Sequence, residues 1–151
     1  LEIQALTSKT SFGSYPCRRS EGFDNNRLTL LIAVLEKRLG LGLGSEDVFV
    51  NVVGGIKVDD PACDLAVVLA VASCFKGKVM PKDIVVMGEV GLASEVRSIS
   101  QPDIRINEAF KLGFKGCVIP KGSLTEKNKG NYKKIELFAV DNVKAAMDIL
   151  L

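Results

Sequence analysis

The sequence predicts a two-layer α+β domain in which strands and helices are mixed along the chain. Apolar residues make up 47% of the 151 residues, which is enough for a substantial core. Short segments with apolar residues at every second position alternate with segments in which apolar residues recur every three or four positions. Two short strand segments are close enough in sequence to form a hairpin, which favours a mixed arrangement over a purely parallel sheet.

The first elements follow from periodicity and from turn residues. Residues 1–7 alternate and predict a strand, whereas residues 11–22 are rich in Gly, Ser and Pro and predict a loop. A helix capped by Asp24 or Asn25 is expected to end before Gly40. Its apolar face consists of Leu28, Leu31, Ile32, Leu35 and Leu39.

A second helix is the most informative part of the chain. It follows a strand predicted over residues 47–53, and it begins where Asp60 precedes Pro61, because Asp caps a helix and Pro suits its first position. The helix body, residues 67–72, is apolar on nearly all sides. We therefore expect this helix to lie at the centre of the fold.

The rest of the chain continues to alternate between the two kinds of element. The predicted elements are a strand over 84–87, a hairpin partner over 95–99, a helix beginning at Pro102, a strand over 116–119, a lysine-rich loop over 120–134, a strand over 135–140 and a helix capped by Asp141. The residues expected to face inward on the two helices are Ile106, Ala109, Phe110, Val143, Ala146, Met147 and Leu150.

Residue content excludes several classes of site. The chain contains no histidine, so it cannot hold a Ser-His-Asp triad or a Cys-His pair of its own, and a typical catalytic zinc site is disfavoured. The net charge of +2 is low for a dedicated nucleic-acid-binding domain. No signal peptide and no membrane-spanning segment are expected.

The four cysteines predict a reducing compartment. They are Cys17, Cys63, Cys74 and Cys117, and no two have the C-x-x-C spacing of a zinc or redox motif. Free cysteines that pack as small apolar residues are the expected form. Such cysteines are typical of a cytoplasmic protein.

Polar residues near the second helix leave alternatives open. Asp59, Asp60 and Asp64 could hold a metal, but the helix dipole alone favours carboxylates here. Asp64 could cap a neighbouring loop, pair with an arginine or serve a site, and the structural roles are preferred. Cys63 could be a nucleophile only with a lysine base nearby. Residues 54–55, both glycine, lack a phosphate-loop motif and predict a turn.

Two basic clusters are candidates for phosphate contact. The first consists of Arg18, Arg19, Arg27, Lys37 and Arg38, and the second of Lys121, Lys127, Lys129, Lys133 and Lys134. A solvated surface is the default interpretation of such clusters, and phosphate contact is the more specific one. Phosphate contacts of this kind carry no base information.

Several motifs, in order, resemble the C-terminal domain of the bacterial RadA (Sms) family of repair proteins. They are residues 26–28, 35–38, 49–55, 60–66, 88–92, 95–97, 111–114 and 118–121. The resemblance covers nearly the whole chain. It implies a single Lon-like domain over residues 1–151, cut from a longer chain, with the ribosomal protein S5 domain 2-like fold of the Lon proteolytic domain.

The same resemblance implies that peptidase chemistry is lost. Active Lon domains use a Ser-Lys dyad whose serine follows a Pro at the start of the central helix. Here Ala62 takes the serine position, and the lysine position falls near Asp103. The nearest lysine after that position, Lys111, lies about two helical turns further along the chain, so it could not take the same place without a shift of register. A domain without nucleophile and base is not expected to hydrolyse peptides. A residual or altered peptidase that uses Cys63 is the alternative.

The longer members of the family carry an N-terminal zinc finger and a RecA-like ATPase core, form hexameric rings and promote branch migration. The resemblance therefore places ATP, Mg and Zn in upstream domains, and no cofactor or metal is expected in this one. The roles implied for this domain are ring assembly and contact with the backbone of double-stranded DNA. The candidate contact residues are Arg18, Arg19, Arg27, Lys37 and Arg38.

Overall fold

Strands and helices are interspersed over residues 1–124 and 135–151, the part of the chain that the computed structural model describes. The strands are β1 (Ile3–Lys9), β2 (Arg18–Glu21), β3 (Glu46–Val52), β4 (Ile84–Val86), β5 (Glu89–Val90), β6 (Val96–Arg97), β7 (Gly116–Pro120) and β8 (Glu136–Val140). The helices are α1 (Asn25–Leu39), α2 (Asp64–Lys76), α3 (Pro102–Lys111) and α4 (Val143–Leu150), with 3₁₀ turns at Leu43–Ser45, Pro61–Cys63 and Lys121–Ser123. The predicted α+β class is confirmed.

The described strands form two three-stranded sheets and one hairpin. In the first sheet β3 lies in the middle, antiparallel to β1 and parallel to β2. In the second sheet β7 lies between β4 and β8, and all three strands are parallel. The hairpin of β5 and β6 confirms the predicted pairing of these segments.

Helix α2 lies at the centre of the core, as predicted. It packs against β1, α1, β5 and α4. Its residues 67–72 are all at most 7% exposed, because apolar side chains occupy every side of this part of the helix. A smaller apolar cluster under α3 includes Ile106, Ala109, Cys117 and Ile119.

The helix ends follow local chemistry that the sequence shows. Asp24 caps α1 by accepting a hydrogen bond from the Arg27 N–H at 2.7 Å, and Gly40 ends the helix at φ +70°. Asp60 accepts from the Ala62 N–H at 3.0 Å, so Pro61 begins a 3₁₀ turn that continues into α2. These predicted starts are confirmed.

Two local predictions are wrong. The predicted loop over 11–22 contains strand β2, which forms because residues 18–21 pair with residues of β3 that lie 30 positions later. Helix α4 is capped by Asn142 rather than by Asp141, since the Asn142 Oδ1 accepts from the Ala145 N–H at 2.8 Å.

The prediction of the inward-facing residues of α3 holds only in part. Ile106 and Ala109 are buried on α3, but Phe110 keeps 40% of its surface exposed. The lysine-rich loop predicted over 120–134 is described only at its start, which forms the turn Lys121–Ser123. The prediction for residues 125–134 falls outside the described residues.

A buried ion pair joins α1, α2 and β5. Asp64 is 1% exposed, and its carboxylate accepts from the Arg27 guanidinium through both oxygens, with Nε to Oδ1 at 3.1 Å. The Val90 N–H donates to Asp64 at 3.1 Å, and the Val90 carbonyl accepts from Arg27 at 2.8 Å. The hydrogen bond to Asp64 is the main cause that raises the pKa of Arg27. The preferred structural role of Asp64 is confirmed.

Replacing Arg27 should therefore destabilise the fold strongly. The substitution Arg27→Ala leaves a buried carboxylate without its countercharge, and we expect a loss of about 3–5 kcal/mol in the free energy of unfolding. Urea unfolding measures this loss. The matched control is Lys144→Ala, which breaks an exposed pair with Asp148 and should cost less than about 0.5 kcal/mol. Equal effects of the two substitutions would contradict the prediction.

Candidate functional site

The start of α2 is fixed by hydrogen bonds to the connection between β4 and β5. The Gly88 N–H donates to the Ala62 carbonyl at 2.8 Å, and the Leu65 N–H donates to the Gly88 carbonyl at 3.0 Å. A side chain at position 88 would meet Val96 at 2.7 Å, so only glycine permits this approach. The helix start therefore has a defined position relative to the neighbouring strands.

Two cavities meet at Ala62. The larger, about 380 Å³, lies between α2, β4 and α3 and has a mainly apolar lining. The smaller, about 210 Å³, is lined by Ala62, Glu89 and residues 98–100. Ala62 is 4% exposed and brings only a methyl group to this place. A serine hydroxyl here could serve as a nucleophile, but a methyl group has no such chemistry.

An ion pair lies beside Ala62. The Arg105 guanidinium of α3 donates to Asp60 Oδ2 at 2.6 Å and to the Ser100 carbonyl at 2.9 Å. Burial would raise the pKa of Asp60, but the Ala62 N–H and Arg105 outweigh it and lower that pKa below its usual value. Asp60 therefore acts as an ionised helix cap. The sequence did not indicate Arg105, because its partner lies 45 positions away and no local spacing connects them.

The environment of Cys63 opposes a nucleophilic role. Cys63 lines the larger cavity, and burial, followed by the negative charge of Asp60, raises the pKa of its thiol above the usual value. A reactive cysteine needs a lowered thiol pKa, because the thiolate is the nucleophile. The geometry thus places a poorly ionised thiol next to the alanine.

The segment expected to supply a lysine base lies on α3. Asp103 is an exposed residue in the first turn of this helix. Lys111, the last residue of α3, pairs with Glu108 at 2.6 Å and its side chain is 67% exposed. A lysine that acts as a base is usually desolvated, which this exposed pair is not.

Two of the five predicted phosphate-contacting residues are partly buried as well as bonded to internal partners. The Arg27 guanidinium is held by Asp64 and Val90. The Arg18 guanidinium donates to three backbone carbonyls, including those of Leu43 at 2.8 Å and Glu46. Each of these side chains therefore supports the fold at a junction between elements.

The other three residues lie on two different surfaces. Arg19 is exposed and, by strand alternation, points away from the buried Ser20 and from α1. Lys37 and Arg38 are exposed in the last turn of α1, and Arg38 donates to the Leu92 carbonyl at 3.2 Å. The structure thus does not bring the five residues into one patch, and contact with DNA stays a prediction for them.

The second basic cluster is visible only at its first member. Lys121 is exposed in the turn that follows β7. The remaining members, Lys127, Lys129, Lys133 and Lys134, fall outside the described residues.

The described residues form neither a metal-binding cluster nor a membrane-spanning helix. No three His, Cys, Asp or Glu side chains within 1–124 and 135–151 lie close enough to hold a metal ion. In the same ranges, no helix combines the length and apolar character needed to cross a membrane.

Comparison with known proteins gives matches that cover nearly all of this chain. The chain is 46% identical to the DNA repair protein RadA of Halalkalibacterium halodurans, with 100% of the chain and 32% of that protein covered. It is 48% identical to RadA of Bacillus subtilis, covering 97% and 31%, and 42% identical to RadA of Synechocystis, covering 100% and 29%. The chain spans about a third of the length of the curated relatives it matches. No protein-family model matches it.

The thiols should differ in reactivity in a way that tests the site. We expect iodoacetamide at neutral pH to modify the exposed Cys17 first and the partly buried Cys63 much more slowly. The rate of modification of Cys63 should continue to rise above pH 9, because its pKa is raised above that usual value and the thiolate fraction still increases there. Buried Cys117, whose pKa burial raises to about 12, should react last. Peptide mass spectrometry measures each site, and faster labelling of Cys63 than Cys17 would indicate an activated thiolate.

Proposed function

The chain is a homologue of the C-terminal part of the RadA family of DNA repair proteins, and we propose that it is a non-catalytic domain of peptidase fold. Its proposed roles are to help assemble a ring and to contact the backbone of double-stranded DNA. In the whole protein, the proposed setting is ATP-dependent branch migration by a hexamer in the cytoplasm. ATP, Mg and Zn belong in this proposal to domains that precede this one.

The methyl group of Ala62 carries the proposal that the domain is non-catalytic. In the S5 domain 2-like fold that we propose, the peptidase nucleophile stands at the start of the central helix. That position here is a buried alanine beside an Asp60–Arg105 ion pair. The raised pKa of the neighbouring Cys63 thiol supports the same conclusion. The retained framework then serves assembly and binding rather than hydrolysis.

Arg19, Lys37 and Arg38 support the proposed contact with DNA. Their side chains are exposed, although Arg38 also donates to the Leu92 carbonyl. Arg18 and Arg27, by contrast, are partly buried and held by internal partners. Exposed cations bind the phosphate backbone mainly by releasing counterions. Among the five candidates, these three are therefore assigned to phosphate, and the other two to the support of the surfaces that present it.

Altered peptidase activity is the competing function, and it has a direct test. We expect no hydrolysis of an unfolded casein substrate by the chain, with or without reducing agent, because the site offers neither an activated nucleophile nor a desolvated base. Release of fluorescent peptide measures turnover. Turnover that disappears in Cys63→Ala, with Cys74→Ala as the matched control, would overturn the non-catalytic assignment.

Salt-dependent binding tests the proposed DNA contact. Replacing Arg19, Lys37 and Arg38 together by alanine should lower the slope of log affinity against log salt by about 1 per lost phosphate contact. Fluorescence anisotropy with labelled duplex DNA gives this slope. The control replaces Lys57, Lys111 and Lys144, three exposed lysines that already pair with carboxylates, and so removes the same charge.

Further variants test the two exposed surfaces separately. Arg19→Ala alone tests the sheet, and Lys37→Ala with Arg38→Ala tests the end of α1. An equal change of slope in the assigned and control triple variants would show that net charge, and not these contacts, governs binding. No affinity for duplex DNA at low salt would overturn the proposal.

A further inference from the structure

The larger cavity beside Ala62 is an apolar groove that opens to solvent. We call it the groove, and its lining includes Leu1, Ile3, Ala66, Leu69, Val86 and Leu112. Two of these side chains, Leu1 and Leu112, are 69% and 74% exposed. Apolar side chains gathered at an open groove mark a place where another segment binds, because covering them removes apolar surface from water.

The free edge of β1 borders the groove. Among the described strands β1 pairs only with β3, and on that side the Glu2 carbonyl accepts from the Val53 N–H at 3.0 Å. Because backbone groups alternate between the two sides of a strand, those of Ile3 point away from β3. On the same side, the Thr7 N–H donates to the Cys74 Sγ of α2 at 3.3 Å. The free edge of β1 therefore faces the helix that lines the groove.

A second free edge, that of β4, also borders the groove. Among the described strands β4 pairs only with β7, and on that side the Met87 N–H donates to the Val118 carbonyl at 3.0 Å. By the same alternation, the backbone groups of Ile84 and Val86 point away from β7. No backbone hydrogen bond joins the free side of Ile3, Ile84 or Val86 to any described residue. An apolar groove between two unpaired edges suits an extended strand.

We propose that the segment immediately before Leu1 in the longer protein lies in the groove as an extended strand. Its backbone bonds to a free edge of the groove, and its apolar side chains cover Leu1, Leu112 and the apolar side chains of α2. The inference rests on the proposed function, in which other domains precede this one. The relatives support such a segment, because the chain covers 32% of the Halalkalibacterium protein and matches its C-terminal part.

Chain connectivity favours this occupant over a separate molecule. A segment joined to Leu1 starts at the groove, so its local concentration there is far higher than that of a free partner. A turn of about two residues is enough to reverse such a segment into antiparallel pairing with β1. Covering the groove in this way therefore requires little more than a hairpin.

The charges of the groove favour an apolar segment over nucleic acid. Arg105 and Glu108 are the charged side chains among the described lining residues. The Arg105 guanidinium already bonds to Asp60 at 2.6 Å, and the Glu108 carboxylate accepts from Lys111 at 2.6 Å. The described lining therefore offers no free cation to a phosphate, whereas an apolar strand needs none.

The Cys63 thiol reports on the groove, because it belongs to the lining. Three forms are compared: the whole protein, the 151-residue chain, and a lengthened chain that includes about 15 preceding residues, enough for a turn and one strand. At pH 9, iodoacetamide should modify Cys63 at least about tenfold more slowly in the whole protein and the lengthened chain than in the 151-residue chain, because modification then requires local opening. Peptide mass spectrometry measures the rates, and the exposed Cys17 should react equally fast in the lengthened and 151-residue chains.

Hydrogen exchange tests whether the segment forms a strand. In the lengthened chain, exchange of the backbone N–H groups should slow at Ile3, or at Ile84 and Val86, since pairing protects a strand edge. Unchanged exchange at both edges would contradict the proposed strand.

A charge placed in the groove should release the segment. In the lengthened chain, Leu112→Asp should restore fast modification of Cys63, because an unpaired carboxylate beneath an apolar segment is costly. The matched control is Val79→Asp, since Val79 is 87% exposed but is not among the described lining residues, and it should leave Cys63 protected. Both positions are exposed in the 151-residue chain, so its urea midpoint should stay close to wild type.

The rates of Cys63 also distinguish other occupants. Equal rates in the lengthened and 151-residue chains would overturn the inference. Slow modification in the whole protein alone would assign the cover to another domain, and a rate in the 151-residue chain that falls with protein concentration would assign it to a second copy. Either result overturns the inference while salt-dependent binding of duplex DNA persists. Loss of that binding with Cys63 still protected would overturn the proposed DNA contact alone.

Discussion

The ion pair of Arg27 and Asp64 is the constraint on which the arrangement of this domain depends. A carboxylate that is 1% exposed is tolerable only with a countercharge and satisfied lone pairs, and Arg27 and the Val90 N–H supply both. Because the three partners come from α1, α2 and β5, those elements cannot shift independently. The pair also explains why Arg27, which the sequence suggests is a surface charge, is instead partly buried against a carboxylate of the core.

The start of α2 is held by this ion pair on one side and by its backbone hydrogen bonds to Gly88 on the other. Ala62 lies between these two contacts. Its backbone is fixed by the hydrogen bond from Gly88, and its side chain is an unreactive methyl group. Asp60 and Arg105 occupy the adjacent space as an ion pair and cap the helix. The groups around the start of α2 thus form hydrogen bonds and one ion pair that fix the position of the helix.

Local signals in the sequence predicted the elements that depend on local chemistry. Asp24, Gly40 and Pro61 mark helix ends by themselves, and the apolar run of α2 predicts its central position. Strand β2 was missed because four polar residues form a strand only when β3 is available to pair with them. The choice of Asn142 over Asp141 as a cap depends on backbone geometry that either residue could satisfy in principle.

The candidate site was predictable to a smaller degree. The alanine and the cysteine at the helix start can be read directly from the sequence. The long-range partners of three arginines cannot, because Leu43, Asp64 and Asp60 lie 25, 37 and 45 positions from Arg18, Arg27 and Arg105 along the chain. The sequence shows that a residue is charged, but only the fold shows whether its charged group is already bonded to another part of the protein.

The attachment of the loop between β1 and β2, residues 10–17, to Asp47 has a thermodynamic consequence. Asp47 belongs to β3, the middle strand of its sheet, so the loop is tied to a stiff part of the molecule rather than to another loop. Fixing the backbone of one residue costs about 1–2 kcal/mol, and at the two ends of this loop that cost is met when the sheet forms. The side chains of Phe12 and Tyr15 between those ends are fully exposed and keep their rotamer freedom.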